Sequence, residues 1–181
     1  LPAPGMVATL TILGEVEPDK IALRKNAHPG EKVFVTGELG RSFPTEHHLN
    51  FTPRLREADF LAGRYTGCMM DISDGLSSEL LHICTQSKAG CRVYEEHIPI
   101  DYQTAAMAEQ FNMNLVTAAL NGGEDYELLF TVPLTDHNKV SDMKGVKVIG
   151  HITKPELGSY LIGRDGGEVE LKAQGWNSLS E

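Results

Sequence analysis

The chain has 181 residues, of which 41% are hydrophobic and 23% charged, and its formal net charge is −9. That composition supplies enough apolar side chains for a core. It excludes two function classes: there is no Lys/Arg block of the kind a nucleic-acid surface requires, and no apolar run near the ~20 residues that cross a bilayer as a helix. Three cysteines, Cys68, Cys84 and Cys91, lack CxxC spacing. An odd, sparse set of this kind is neither a disulfide framework nor a structural zinc site, and reads as buried thiols. The opening "LPAPGMVATLTILGEV" has no initiator Met and no basic segment ahead of its apolar residues. It reads as an internal piece of a longer protein rather than as a signal peptide.

In chain order, 6–16 alternates as a strand does. Residues 1–17 are assigned to the last strand of a preceding N-terminal domain plus a linker, and 18–181 to the main domain. Residues 26–37 read as a Pro29-Gly30 turn and a strand with Val33 and Val35 on one face. The stretch 40–53 is polar and turn-like, and a helix follows from Pro53 with Leu55, Ala58, Leu61 and Ala62 at helical spacing. A short buried strand over 65–73 runs into a helix over 74–87, with Leu76, Leu80, Leu81 and Cys84 on one face. A strand is expected at 90–100 and helix in two pieces over 101–120. A strand should follow Gly122-Gly123, then a helix over 134–145, a strand over 146–153, and a hairpin over 159–171 around Asp165-Gly166-Gly167. Interleaved strands and helices imply a sheet covered by helices, a layered α+β or α/β domain.

Two stretches carry unusual charge. "MMDISDGLSSELLHI" sets Asp71 and Asp74 three apart at a strand-to-helix junction, with Ser73 between them. Either Ser73 or Asp74 suits a helix N-cap. The functional alternative is that both carboxylates face one small volume. At ~4 Å, with an effective dielectric near 20, two such charges repel by about 4 kcal/mol, and a helix N-terminus relieves only about 0.3–1 kcal/mol. A divalent cation removes the conflict, and hard oxygen ligands beside a hydroxyl suit Mg²⁺ with phosphate. The second stretch, "NGGEDYELLF", puts Glu124 and Asp125 at the mouth of an otherwise apolar strand. They are either a polar turn or a carboxylate pair lining a pocket for a cationic or hydroxylated ligand. Arg24 and Lys25 precede the Pro-Gly turn and are candidates for a phosphate, or else a solvated basic pair. His47-His48 reads as surface loop. Trp176, the only tryptophan, is a tail anchor or a stacking face for a planar ligand. Neither a Walker A sequence nor HExxH nor GxSxG is present.

Taken together, "ILGEV", "LRKNAHPGEKVFVTGELG", "MMDISDGLSSELLHI", "GGEDYELLFTV" and the closing "GW" resemble the thiamine-monophosphate kinases, of the superfamily named after aminoimidazole ribonucleotide synthetase, and mainly their C-terminal domain. The resemblance implies an α+β fold, a three-layer α/β/α sandwich with a mixed sheet. It implies ATP-dependent phosphorylation of thiamine monophosphate to the diphosphate in the cytoplasm. By the same resemblance Asp71 and Asp74 bind Mg²⁺, Arg24 and Ser73 contact ATP, and Glu124 and Trp176 contact the thiamine moiety. No separate catalytic acid or base is implied, and neither is nucleic acid or membrane. The family's N-terminal domain carries further metal ligands and forms a homodimer, so this chain alone should be inactive. Its 38–53 segment is shorter than in many relatives. Two alternatives stay open: a sister activity of the superfamily, as in selenophosphate synthetases or hydrogenase maturation factors, or a non-catalytic nucleotide-binding fragment.

Overall fold

The computed structural model of the chain describes residues 9–110 and 114–173. Its centre is one mixed sheet. The strands in chain order are β1 (Lys32–Thr36), β2 (Met69–Asp71), β3 (Gly90–Tyr94), β4 (Leu128–Val132), β5 (Val146–Thr153), β6 (Ser159–Ile162) and β7 (Glu168–Glu170). Across the sheet they lie β2-β4-β1-β5-β3-β6-β7. Only β3 and β6 run parallel; the other neighbours are antiparallel. The helices are α1 (Ser42–Thr45), α2 (His47–Asn50), α3 (Leu55–Leu61), α4 (Leu76–Ser87), α5 (Tyr102–Gln110), α6 (Leu115–Asn121) and α7 (His137–Ser141).

Period-two alternation sorts the strand residues into two cores. Val33, Val35 and Leu129 join Ile72, Leu76, Leu80, Ile83 and Ala119 in one cluster, which buries α4 and α6. Phe34, Phe130, Val132 and Val146 join Leu61 and Val140 in the other, which buries α3 and α7. Phe34 and Phe130 are register partners and stack at 5.6 Å. Helices therefore cover both faces of a central sheet, the three-layer arrangement expected from the sequence. All three cysteines are buried free thiols.

Several elements fall where the sequence put them, among them β1, β5, the paired helices α5 and α6, and the β6–β7 hairpin with its positive-φ Gly166. Three do not. Residues 9–17 form no strand, and Leu10, Ile12, Leu13 and Val16 are exposed. Alternation alone does not make a strand, since the ladder needs a neighbour, and no described strand lies beside this segment. The 40–53 stretch is not an open turn but contains α1 and α2, single turns closed by local bonds such as Thr45 N–H to Arg41 O. His47 and His48 open α2, not a surface loop. Third, β3 stops at Tyr94 and passes into a 3-10 turn at Glu95–His97.

Candidate active site

The edge of the sheet at β2 brings the two charged motifs together. Met69, Met70 and Asp71 pair with Phe130, Leu129 and Leu128. The pairing continues beyond the strands: Ile72 N–H donates to Glu127 O at 2.8 Å, Tyr126 N–H to Ile72 O at 2.9 Å and Glu124 N–H to Ser73 O at 2.7 Å. Residues 71–74 and 124–128, fifty or more positions apart in sequence, thus share one backbone ladder. Gly123 is required there: at its φ of +66° a Cβ would meet Ser73 O at 2.8 Å. Glu124 and Tyr126 also take positive φ, +55° and +51°, conformations that cost a non-glycine residue energy and that concentrate at functional sites.

Neither Ser73 nor Asp74 caps α4. The N-cap is Gly75, at φ +111°, without a side-chain bond. The turn ahead of the helix is instead held from within it. Glu79, 1% exposed, reaches back so that its Oε1 accepts from Asp74 N–H at 2.8 Å, Ser73 N–H at 3.2 Å and the Ser73 hydroxyl at 3.4 Å. Burial pushes the Glu79 carboxyl up in spite of the backbone donors from Asp74 and Ser73, and the Asp74 charge adds to the rise. The side chains of Asp71 and Asp74 are exposed and make no hydrogen bond or ion pair among the described residues. Glu79 thus secures the turn ahead of α4, and the two aspartate side chains take no part in it.

Of the Glu124–Asp125 pair, only Glu124 is partly exposed. Asp125 is fully buried; both its oxygens accept from Gly40 N–H at 3.0 Å, and Oδ1 also accepts from the Ser42 hydroxyl at 3.1 Å. The expected pair of pocket carboxylates is therefore a single one, because the irregular backbone ahead of β4, with positive φ at Glu124 and Tyr126, turns Asp125 inward against the 38–42 turn. Burial pushes the Asp125 carboxyl up to about 6, against the Gly40 and Ser42 donors. Glu127, 1% exposed, is buried as well. It takes a two-point contact from Arg54 (Nε to Oε2 2.7 Å, NH2 to Oε1 2.8 Å), the Thr36 hydroxyl at 2.6 Å and Arg41 at 3.3 Å. Burial alone would raise its carboxyl, but Arg54, Thr36 and Arg41 outweigh that and hold it below the usual carboxylate range. Phe51 stacks on Tyr126 at 4.4 Å, and Ser42 donates to Glu124 O at 2.7 Å. Every residue from 124 to 127 consequently grips the 38–54 segment, which sequence reasoning passed over as a turn.

Arg24 is exposed and makes no ion pair among the described residues. It follows Leu23, whose N–H donates to Gly67 O and whose O accepts from Met69 N–H; it therefore lies beside β2, the strand that ends in Asp71. Trp176 lies outside the described residues. Among those residues, no group of three His, Cys, Asp or Glu stands together as a ready cation cage. Sequence reasoning missed Glu79, Glu127, Arg41, Arg54, Phe51 and Tyr126. One signal was present: Glu127 is an acid inside an otherwise apolar strand, which requires a buried partner.

No family model matches the chain. It is 32% identical over 195 residues to the thiamine-monophosphate kinase of Buchnera aphidicola subsp. Schizaphis graminum, covering 93% of this chain and 59% of that protein. The chain is a homologue of the thiamine-monophosphate kinases. The Aquifex aeolicus thiamine-monophosphate kinase is 31% identical over 184 residues, 91% of this chain and 56% of the relative. The fold agrees. AaThiL complexed with AMPPCP and TMP superposes with a TM-score of 0.73 at 29% identity, over 87% of this chain and 54% of that one. The hydrogenase maturation protein HypE in complex with ATP gives a TM-score of 0.72 at 19% identity, over 90% of this chain and 56% of that one. HypE shares the fold alone. The chain spans somewhat more than half the length of the thiamine-monophosphate kinases it matches.

Proposed function

We propose that the complete protein carrying this chain transfers the γ-phosphoryl group of ATP to thiamine monophosphate, giving thiamine diphosphate. In this reading the chain supplies the C-terminal part of the site, and is inactive by itself. The observation that carries the reading is the ladder joining residues 71–74 to 124–128, in a homologue of the kinases. It brings together, at one edge of the sheet, the stretch we assign to the metal and the stretch whose acid we assign to the acceptor. Sequence identity favours this activity over the maturation factors: 32% and 31% against 19% over comparable spans.

The acceptor oxygen of a monophosphate is already anionic near neutral pH, so no strong general base is needed. The obstacle is repulsion between anions, which positioning and charge neutralisation overcome. The chain's own residues fit a hard divalent cation. Asp71 and Asp74 present carboxylate oxygens to solvent with no partner among the described residues, while Glu79 holds the N–H groups of the turn that carries Ser73 and Asp74. Two carboxylates plus water and phosphate oxygens is a Mg²⁺-type donor set. Mg²⁺ held there would offset phosphate charge during transfer. Ser73 and Arg24 contact ATP in this proposal. Glu124 faces the positive or hydrogen-bond-donating ring system of the acceptor, and Trp176 offers it a flat face. The segment 6–16, which forms no strand over its described residues here, would pair as the last strand of an N-terminal domain in the complete protein, the domain through which it dimerises. The four exposed apolar side chains at positions 10, 12, 13 and 16 support an occupant for that face.

The test is acceptor choice. The complete protein, with ATP and Mg²⁺, should convert thiamine monophosphate to the diphosphate and leave selenide and protein acceptors untouched. ATP consumption that requires one of those acceptors and ignores thiamine monophosphate would refute the assignment.

A further inference from the structure

Tyr126 is the one aromatic residue on the shared ladder, and four observations single it out. Its backbone holds a positive φ of +51° that a non-glycine residue adopts at a cost. Its N–H is fixed to Ile72 O at 2.9 Å. Its ring is clamped by Phe51 at 4.4 Å and 26°, a contact worth about 0.5–1.5 kcal/mol in orientation and stability. Finally, its hydroxyl makes no hydrogen bond among the described residues, although it lies within the field of Glu124, Asp71 and Asp74. Burial comes first and those three carboxylates second in raising the phenol from its ordinary range, which sets the three acids in its neighbourhood.

Tyr126 is only half-buried, and its oriented hydroxyl, with no protein acceptor among the described residues, is open to a ligand that enters from solvent. A carboxylate neighbour would accept from it if geometry allowed, yet none does. What can enter between a phenol and three carboxylates is an anion accompanied by cations: a phosphate group with its divalent ion. We propose that the Tyr126 hydroxyl donates a hydrogen bond to a phosphate oxygen of the acceptor monophosphate. It would then be a substrate-contact residue standing between the aspartates at positions 71 and 74 and the acceptor acid Glu124. This inference rests on the proposed function for the identity of the acceptor, but not for the chemistry, which needs only a phosphate monoester. Phe51 acts through Tyr126 as a positioning residue, and ties the short 38–54 segment to acceptor recognition.

The experiment is equilibrium titration of three ligands into the complete protein and its Tyr126→Phe variant, with Mg²⁺ and a non-hydrolysable ATP analogue present. Tyr126→Phe keeps the ring and its stack, so its unfolding midpoint serves as the control for fold. Thiamine monophosphate and inorganic phosphate should bind about 10- to 100-fold more weakly, the loss of one hydrogen bond to a charged group. Thiamine, which lacks the phosphate, should change less than about two-fold. In turnover, KM for thiamine monophosphate should rise while KM for ATP holds. Equal losses for thiamine and its monophosphate, or unchanged phosphate binding, overturn the proposal. Inorganic phosphate separates the two failures. If thiamine monophosphate does not bind the wild type, the proposed function falls, and the hydroxyl is still judged by whether Tyr126→Phe weakens phosphate.

Discussion

Two pairs of acids, each close in sequence, meet opposite fates in this molecule. Asp125 and Glu127 are buried and saturated, the first by Gly40 and Ser42, the second by Arg54, Thr36 and Arg41. Asp71 and Asp74, across the ladder, are exposed and internally unpaired. The difference teaches how a frame and a site are divided. Acids that face inward close the 38–54 segment over the sheet edge and give up their charge to fixed donors. Acids that face outward keep their oxygens free, while Glu79 holds the backbone N–H groups of the turn between them and α4. Removing an inward acid should therefore cost stability, and removing an outward one should cost turnover.

The largest stability effect is expected at Glu127. Glu127→Gln leaves Arg54 and Arg41 facing a neutral group in a buried setting, where breaking an ion pair on one side typically costs about 3–5 kcal/mol. Both arginines retain some solvent contact, which brings the expectation to about 2–4 kcal/mol. Urea unfolding of the chain reads this directly; a midpoint unchanged from wild type would erase the distinction between inward and outward acids.

The next effect is pH-dependent. The Asp125 carboxyl is raised from 3.8 to about 6 by burial, so the folded state holds its proton more tightly than the unfolded state. Its stabilising contribution is present in full below about pH 4 and is lost as pH rises through about 6, on the order of 3 kcal/mol at most. Glu127, whose carboxyl is depressed, works in the opposite sense: its contribution is present at neutral pH and fades in acid. His47, lowered by burial and by Arg41, titrates nearby. Comparing wild type with Asp125→Asn cancels these neighbours. Wild type should gain stability relative to Asp125→Asn as pH falls from about 7 to 4, in a one-proton step. A flat difference would mean that Asp125 is solvated rather than enclosed.

The smallest effect belongs to Glu124, the acid that is neither saturated nor wholly free. In the complete protein Glu124→Gln should raise KM for thiamine monophosphate by roughly ten-fold, the worth of about 1.5 kcal/mol for a charge-assisted contact, with KM for ATP unchanged. A shift confined to ATP would move Glu124 to the nucleotide side.

Much of this fold is legible along the chain because its signals are local. Val33 and Val35 against Phe34, the helical spacing of Leu76, Leu80 and Cys84, and the Asp165-Gly166-Gly167 turn each name their element without outside help. The 38–54 segment is not legible for the opposite reason. Its two single-turn helices are held by Asp125, Tyr126 and Glu127, partners more than seventy positions away, and nothing in "RSFPTEHHLNFTPR" encodes them locally. The same limit applies to the site. The motifs identify Asp71, Ser73, Asp74 and Glu124 as candidates, but which acids end up buried depends on the register of β2 against β4. A single-residue shift in that register would exchange the faces of the acids.

The division between frame and site is tested most directly by assaying Asp71→Asn and Asp125→Asn side by side in the complete protein, with ATP, Mg²⁺ and thiamine monophosphate at neutral pH. Asp71→Asn should lose at least ~100-fold in turnover, the scale of one well-placed electrostatic contact to a developing charge, with its unfolding midpoint nearly unchanged. Asp125→Asn, whose amide oxygen still accepts from Gly40, should keep turnover within a few-fold while its pH profile of stability changes. Full activity in Asp71→Asn together with collapse in Asp125→Asn would contradict the assignment of chemistry to the outward-facing acids.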